Sequence, residues 1–266
     1  MPYGTKAQLL RSGNRPRLRH IRKLFAHAFG EIEPHSHVRW AAIRPHLRHA
    51  RSHFATNDVL EVGSGSGEMT MEIADELRPL HLRSFDIQTP RQPSRVVAAC
   101  FVADATHLPV ASNSHDVVTM FDIIEHIPDD AAALREGFRA LRPGGLLLIS
   151  VPTPEYPRWF GRRFHEALGH VRDGYTPELL EDRLRTAGFD EIVIERHTGL
   201  PFLLFAVPYY RFIFRNVYLS AIATAASRPL ALVDRHLPGN TWGALAGRAV
   251  KPALATEGSR VRRSAT

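Results

Sequence analysis

The stretch Val59-Leu60-Glu61-Val62-Gly63-Ser64-Gly65-Ser66-Gly67-Glu68 decides the fold of this chain. It begins with a short apolar run and continues with three glycines at alternate positions. The residues Met69, Ile73 and Leu77 then recur at helical spacing. A strand that leads through glycines into a helix lets backbone amides approach a ligand closely. The stretch therefore predicts a buried strand, a ligand-binding turn and a helix.

The same alternation of strand and helix continues along the chain. Apolar runs predict strands at 58–62, 82–87, 96–102, 116–122, 146–151, 189–196 and 242–250. Helical patterns at 68–78 and 129–141 lie between them, and Thr176-Pro177-Glu178 carries the start signal of another helix. Strands joined by helical crossovers form parallel sheets with helices on both faces. We predict an α/β, Rossmann-like, seven-stranded, mostly parallel sheet with N-terminal helices and an apolar helical insertion before the last strand.

Composition divides the 266 residues into three parts. The segment 1–54 is basic and helical in pattern, with Ile21 to Ile32 at helical spacing and a second helix over 38–50 that Pro45 interrupts or bends. We predict a domain over 55–252 with a helical insertion at 200–238, and a disordered tail at 253–266.

Charge and cysteine content limit the location and partners of the chain. Cys100 is the single cysteine, so no internal disulfide forms and a reducing compartment is expected. The N-terminus lacks the apolar core of a secretion signal, and no apolar run reaches about 20 residues. We predict a cytoplasmic protein. The net charge of +7 is compatible with nucleic acid or an anionic membrane, but it also fits a simple arginine bias, because the chain has only three lysines.

The glycine loop does not match the phosphate-binding patterns. A dinucleotide fingerprint would need its third glycine where Glu68 or Thr70 stands, and the Gly-Lys-Ser/Thr of a Walker loop is missing. Instead, Glu61 precedes the first glycine by two residues. The pattern Glu61-x-Gly63-x-Gly65-x-Gly67 resembles the first motif of the class I S-adenosylmethionine-dependent methyltransferases. Leu141-Arg142-Pro143-Gly144-Gly145 is also similar to a connection common in that family.

The resemblance implies S-adenosyl-L-methionine as the cofactor and assigns roles to residues at successive strand ends. The glycine loop would wrap the ribose and the amino-acid portion of the cofactor, Asp86 would accept hydrogen bonds from ribose hydroxyls, and Asp104 would address the adenine amino group. The implied cofactor-binding residues are Glu61, Gly63, Ser64, Gly65, Gly67, Asp86, Ile87, Asp104, Ala105 and Phe121.

The stretch Phe121-Asp122-Ile123-Ile124-Glu125-His126 resembles the fourth motif of the family. It lacks the Asn/Asp-Pro-Pro-aromatic sequence of enzymes that methylate amino groups of nucleic acids, and it is similar to the group that acts on small molecules, quinones and other lipids. His126 is the first candidate base. His165 and His170 are further catalytic candidates, because in related enzymes their region lies near the acceptor. Structural roles for all three histidines stay open.

The spacing Asp122-x-x-Glu125-His126 also resembles the Glu-x-x-Glu-His metal cluster of certain quinone and RNA-end methyltransferases. Its first position is Asp, and Glu-His also occurs in relatives without a metal. We therefore assign no metal ligands, and whether Asp122, Glu125 and His126 bind a metal stays open.

The apolar segment 200–238 is relevant to the chemical class of the methyl acceptor. We interpret it as core, a homodimer face, a lid, or an interfacial helix in peripheral contact with the inner membrane face. Tyr209, Tyr210, Arg211 and Arg215 are residue types that settle at lipid headgroups. The resemblance favours S-adenosylmethionine-dependent O- or C-methylation of a small-molecule or lipid-linked acceptor. An RNA methyltransferase and a non-catalytic protein that binds a membrane or a partner are the alternatives.

Overall fold

The computed structural model describes residues 34–65, 67–88, 99–209, 217–234 and 242–253. The predicted helix around Ile21–Ile32, the residues Tyr210, Arg211 and Arg215, and the tail beyond residue 253 lie outside these ranges.

Seven strands form one mixed sheet. They are β1 Asp58–Val62, β2 His81–Asp86, β3 Ala99–Val102, β4 His115–Phe121, β5 Leu141–Pro152, β6 Asp190–Gly199 and β7 Trp242–Val250. The strand order is β3-β2-β1-β4-β5-β7-β6. The strand β7 pairs antiparallel with both of its neighbours, and all other pairs are parallel. The predicted Rossmann-like, seven-stranded, mostly parallel sheet is confirmed.

Eight helices accompany the sheet in the described part of the chain. They are α1 Pro34–His53, α2 Glu68–Leu77, α3 Asp130–Ala140, α4 Glu155–Phe160, α5 Arg162–Ala167, α6 Pro177–Thr186, α7 Leu200–Pro208 and α8 Val217–Asp234. A short 3-10 turn spans Ile124–His126. The helix α6 begins as its sequence indicates, because Thr176 accepts a hydrogen bond from the backbone N–H of Leu179 and Pro177 occupies the first turn.

Most elements lie within one residue of their predicted bounds, β6 ends at Gly199 rather than at 196, and two further elements differ more. The helix α1 is longer than predicted and runs through Pro45 without interruption. The strand β5 begins at Leu141 rather than at 146, because Leu141 already pairs with His115 before a register shift brings Leu146 opposite Val117. The glycine-containing connection is therefore part of an irregular strand.

Apolar side chains fill both faces of the sheet. On one face, Ile43 and Leu47 of α1 pack with Val59 of β1 and Ile73 of α2. On the other face, Leu134 of α3 and Leu180 of α6 pack against β1, β4 and β5. The helix α1 is thus an integral part of the core, since it covers the same face as α2 and contacts both α2 and β5.

Along the chain, the helices α7 and α8 connect β6 to β7. Phe202 and Ala206 of α7 are buried against Val38 of α1. Asp234, the last residue of α8, accepts hydrogen bonds from the backbone N–H groups of Gly199 and Phe202 and so caps the start of α7. The described outer positions Leu204, Leu219, Ile222 and Val233 are exposed.

Candidate functional site

The register of the parallel strands brings their carboxyl ends to one edge of the sheet. Val62 at the end of β1 pairs with Phe85 on β2 and with Met120 on β4, and Asp86 pairs with Val102 on β3. The residues that follow these strands therefore meet at one crevice, which is where open α/β sheets bind ligands.

The glycine loop turns through three left-handed residues. Gly63, Gly65 and Gly67 have φ angles of +84°, +51° and +80°, a region that costs a residue with a side chain about 1–2 kcal/mol. The N–H of Gly63 donates to the carbonyl of Phe85 at 2.7 Å, and Gly67 caps the start of α2. The loop is thereby fixed between β1, β2 and α2.

Two of these glycines meet different surroundings. A Cβ atom at Gly63 would lie 2.7–2.9 Å from three side-chain carbons of Ile123, whereas a Cβ at Gly65 would meet no atom within 4 Å. Of these two positions, space for a ligand explains the missing side chain at Gly65 and not at Gly63. At Gly63 the reasons are the backbone conformation and the close packing of Ile123.

Asp86 holds the loop in place. Its Oδ2 accepts a hydrogen bond of 2.8 Å from the N–H of Gly65, and its Oδ1 accepts one of 2.9 Å from the N–H of Gln88. Each carboxylate oxygen has further lone pairs. Asp86 can therefore position the loop and still accept hydrogen bonds from a ligand.

Glu61 lies beneath the loop and not among the residues that line the crevice. It is 2% exposed, and its Oε2 accepts hydrogen bonds from Thr70 Oγ1 at 2.6 Å and Ser84 Oγ at 2.7 Å. Burial raises the pKa of Glu61, and the two hydroxyl donors oppose that rise. The contacts of Glu61 tie β1 to α2 and β2.

The crevice encloses a cavity of about 220 Å³. Its lining residues come from the ends of β1, β2, β3 and β4, and they are Val62, Gly63, Phe85, Asp86, Ile87, Ala103, Asp104, Ala105, Ile123, His126, Ile127 and Pro128. Asp104 accepts hydrogen bonds from the N–H and the hydroxyl of Thr106, and these bonds lower the pKa of its carboxyl group. Two carboxylates therefore line a largely apolar pocket.

The predicted cofactor residues divide into two groups. Gly63, Asp86, Ile87, Asp104 and Ala105 line the cavity. The others support it: Ser64, Gly65 and Gly67 shape the loop, Glu61 lies below it, and Phe121 is buried in the core cluster of the α1 face.

Sequence reasoning missed several lining residues, among them Ile123, Ile127 and Pro128. They follow β4 and carry no polar side chain that would mark them. Their position next to Glu125 and His126 in the sequence is the signal that could have identified them as lining residues.

The three candidate histidines form a contact chain that begins at the cavity. The ring of His126 packs against that of His170 with centroids 4.7 Å apart, and the His165 and His170 rings are 4.4 Å apart. His126 lines the cavity, whereas His165 is buried. The structure thus brings all three predicted residues together.

Hydrogen bonds define the tautomers of these rings. Nδ1 of His126 lies 3.1 Å from the carbonyl oxygen of Gly169, so Nδ1 carries the hydrogen and Nε2 has the lone pair. Nε2 of His165 lies 3.0 Å from the carbonyl oxygen of Arg172 and donates to it. In neutral His165, Nδ1 therefore accepts, and the Nδ1 of His170 at 2.9 Å donates. Nε2 of His170 is left with the lone pair.

Two acids follow β4 in different environments. Asp122 has φ +50° and is bonded to Arg39 Nη1 of α1 at 2.6 Å and to Ser150 Oγ of β5 at 2.7 Å. Glu125 is 1% exposed, and its Oε2 has no hydrogen-bond partner among the described residues. Burial first, and the charge of Asp122 second, raise the pKa of Glu125 well above its usual range.

Comparisons with known proteins agree with this geometry. A family described as "Methyltransferase domain" matches residues 35–193. A probable S-adenosylmethionine-dependent methyltransferase of Mycolicibacterium smegmatis is 38% identical over 141 residues, which is 51% of this chain and 53% of the relative. The demethylmenaquinone methyltransferase of Lactiplantibacillus plantarum is 33% identical over 41% of this chain and 51% of its own length.

A solved structure has the same fold. Phosphoethanolamine N-methyltransferase 2 of Haemonchus contortus, in complex with phosphomonomethylethanolamine and S-adenosylhomocysteine, superposes with a TM-score of 0.55 at 19% identity. The superposition covers 79% of this chain and 52% of that structure. The chain spans about half the length of the curated relatives named above. Among the described helices, none combines the length and the apolar character that a membrane span requires.

Proposed function

The chain belongs to the class I S-adenosylmethionine-dependent methyltransferases, and from this premise we propose that it methylates a small-molecule or lipid-like acceptor. The observation that carries the proposal is the crevice itself. Gly63, Asp86, Asp104 and His126 line one cavity at the carboxyl ends of four neighbouring strands.

We propose that the cofactor lies along this crevice. Asp86 would accept hydrogen bonds from the ribose hydroxyls, and Asp104 with the adjacent backbone of Ala105 would face the adenine. The apolar side chains of Ile87 and Ile123 would contact the faces of the base and the ribose. The open space at Gly65 would receive the methionine portion.

His126 is the proposed proton acceptor for an acceptor hydroxyl. In the transfer, an acceptor oxygen or carbon forms a bond to the sulfonium methyl as the carbon–sulfur bond breaks, and the sulfur keeps the electron pair. The acceptor's proton would pass to Nε2 of His126, which bears a lone pair on a ring that lines the cavity. His165 and His170 would hold that ring in place.

The acceptor class is proposed from two observations. The chain resembles an enzyme named for a quinone substrate, demethylmenaquinone. The helices α7 and α8 add apolar surface after β6, with Leu204, Leu219 and Ile222 exposed. We propose that this outer surface contacts a membrane face or a second copy of the chain, while the inner surface of α7 belongs to the core.

Titration with S-adenosylhomocysteine tests the cofactor site. Asp104→Ala should weaken binding at least tenfold, because Asp104 lines the cavity and, within the described part of the chain, its carboxylate is bonded to Thr106 alone. Asp182→Ala, an exposed aspartate on α6, serves as the matched control. A wild-type chain that releases no heat at high micromolar ligand would contradict the proposal.

Transfer of a labelled methyl group tests the acceptor. A reduced quinone should be labelled and RNA should not, and labelling of RNA alone would favour the nucleic-acid alternative.

For the membrane contact, Leu219→Lys with Ile222→Lys should reduce flotation with anionic vesicles. Unchanged flotation and an unchanged oligomeric state would remove both roles of the α8 surface.

A further inference from the structure

Residues 127–128 form a wall of the cofactor cavity directly after the 3-10 turn that follows β4. This cavity wall belongs to no helix or strand, so its carbonyl groups need partners from elsewhere in the chain. Both partners come from Arg172. Its Nη2 donates to the carbonyl of Ile127 at 2.6 Å and to the carbonyl of Pro128 at 2.9 Å.

The other terminal nitrogen of Arg172 contacts the residues behind the cavity wall. Nη1 donates to Oδ2 of Asp130, the first residue of α3, and to the hydroxyl oxygen of Tyr175 at 2.6 Å. The Tyr175 hydroxyl in turn donates to the same carboxylate at 2.8 Å. Asp130 and Tyr175 are both buried. The guanidinium therefore joins the cavity wall to the start of α3.

Arginine suits this position for a geometric reason. A guanidinium presents its N–H groups in a rigid plane, so several acceptors can be held at fixed positions relative to one another. Here the acceptors are two carbonyls, a carboxylate and a hydroxyl. The ammonium group of a lysine is compact and lies on a flexible stem, so it cannot reproduce this arrangement.

The backbone on both sides of Arg172 is fixed independently of its side chain. The N–H of Val171 donates to the carbonyl of Glu125 at 3.0 Å, and the N–H of Tyr175 donates to the carbonyl of Pro152 at the end of β5 at 2.8 Å. Because the backbone is anchored at these two points, the guanidinium determines the position of the cavity wall rather than following it.

Arg172 also connects the cavity wall to the three candidate histidines. Its carbonyl oxygen accepts a hydrogen bond of 3.0 Å from Nε2 of His165. The ring of His165 packs against His170, and the ring of His170 packs against His126. One residue thus orients the cavity wall through its side chain and the histidines through its main chain.

We propose that Arg172 is a positioning residue for the cofactor, because its guanidinium holds the side chains of Ile127 and Pro128 against bound S-adenosylmethionine. Arg172 acts through the cavity wall, since it is not among the residues that line the cavity. The inference rests on the proposed position of the cofactor in this crevice. A role limited to folding would lower stability and leave the affinity for the cofactor unchanged.

Titration with S-adenosylhomocysteine, at a temperature at which every variant is folded, tests this role. Arg172→Lys keeps a positive charge near Asp130 but loses the planar arrangement, and it should weaken binding about tenfold. In the Ile127→Ala background the same substitution should weaken binding less than about threefold, because the side chain that Arg172 positions is gone. A merely structural role would not produce this non-additivity.

A measurement on the wild type needs no variant. Bound S-adenosylhomocysteine should slow hydrogen exchange in the segment 168–175 as well as in the cavity wall, because the two are joined by the bonds of Arg172. Protection of the cavity wall without any change in the segment 168–175 would contradict the connection.

Two other arginines provide matched controls. Nε of Arg183 lies 3.9 Å from the same Asp130 carboxylate, but in the described part of the chain Arg183 has no hydrogen bond to the cavity wall. Arg142 bridges Asp58 and Asp116 at the opposite edge of the sheet. Arg183→Lys and Arg142→Lys should both bind S-adenosylhomocysteine within about twofold of the wild type.

The outcomes separate this inference from the proposed function. If Arg172→Lys binds S-adenosylhomocysteine as tightly as the two control variants, the positioning role is overturned. The same loss of affinity with Ile127 and with Ile127→Ala would also overturn it, because Arg172 would then not act through the cavity wall. Absence of binding to the wild type would instead overturn the cofactor site and the proposed function.

Discussion

Replacing Gly63 with alanine tests the packing of the glycine loop against the turn after β4. The new Cβ would lie 2.7, 2.8 and 2.9 Å from Cγ1, Cδ1 and Cβ of Ile123. A change of rotamer at Ile123 cannot remove the contact with its Cβ, so the backbone of one segment has to move. The φ angle of +84° adds strain of its own.

The expected cost follows from three contributions. The left-handed conformation costs about 1–2 kcal/mol with a side chain, and overpacking adds about 1–3 kcal/mol. Alanine also reduces the conformational entropy of the unfolded chain, which offsets about 0.4–1 kcal/mol of this loss. We therefore expect Gly63→Ala to lower the free energy of unfolding by roughly 2–4 kcal/mol.

Gly144→Ala is the matched control. Gly144 has φ +79°, and a Cβ there would meet no atom within 4 Å. Its cost should be about 1 kcal/mol, from the backbone alone. The difference between the two variants isolates the contact with Ile123.

Urea unfolding and titration with S-adenosylhomocysteine measure the effects. Gly63→Ala should weaken cofactor binding at least tenfold, since Gly63 and Ile123 both line the cavity, whereas Gly144→Ala should leave it unchanged. Ile123→Ala should cost less stability in the Gly63→Ala background than in the wild type, because it removes two of the three close contacts. Equal stability and affinity in the two glycine variants would refute the reasoning.

Three further predictions concern residues that support the site. Burial lowers the pKa of His197 to about 4, with Asp122, Arg39 and His46 as the charged groups around it. Because the folded state disfavours the protonated ring, we expect about 3 kcal/mol of stability to be lost as the pH falls from 6.5 to 4. Between pH 6.5 and 4, the free energy of unfolding of His197→Gln should therefore fall by about 3 kcal/mol less than that of the wild type. The same pH dependence in both proteins would contradict this role of His197. Asp234→Ala should cost about 1–3 kcal/mol and accelerate hydrogen exchange in α7 relative to β4, since it removes the acceptor for Gly199 and Phe202. Equal protection of α7 would show that the cap does not hold it. Tyr175→Phe removes the 2.8 Å hydrogen bond from the buried hydroxyl to Asp130. It should lower the free energy of unfolding by about 1.5–3 kcal/mol and therefore lower the thermal midpoint. An unchanged midpoint would exclude a stabilising role for this bond.

The strand and helix pattern was readable from the sequence because it depends on local periodicity and short turn signals. The strands β1 and β7 have the predicted bounds, since each is an apolar run bounded by polar or glycine residues. The longer β5 was not predictable, because its first residues belong to the sheet only through the pairing of Leu141 with His115. The continuation of α1 through Pro45 likewise depends on burial of Ile43 and Leu47 against α2 and the sheet.

The cofactor residues show the same division. The sequence by itself determined that Gly63, Asp86, Asp104 and His126 meet, because parallel strands bring their carboxyl ends to one edge and each residue lies at the end of its strand or in the turn that follows it. Only the tertiary structure decided what each side chain contacts: Glu61 is held below the loop by Thr70 and Ser84, Asp122 is bonded to Arg39, and His170 lies beside Glu125. Local sequence fixes where the backbone turns, whereas the partners of a charged side chain depend on segments that are distant along the chain and adjacent only after folding.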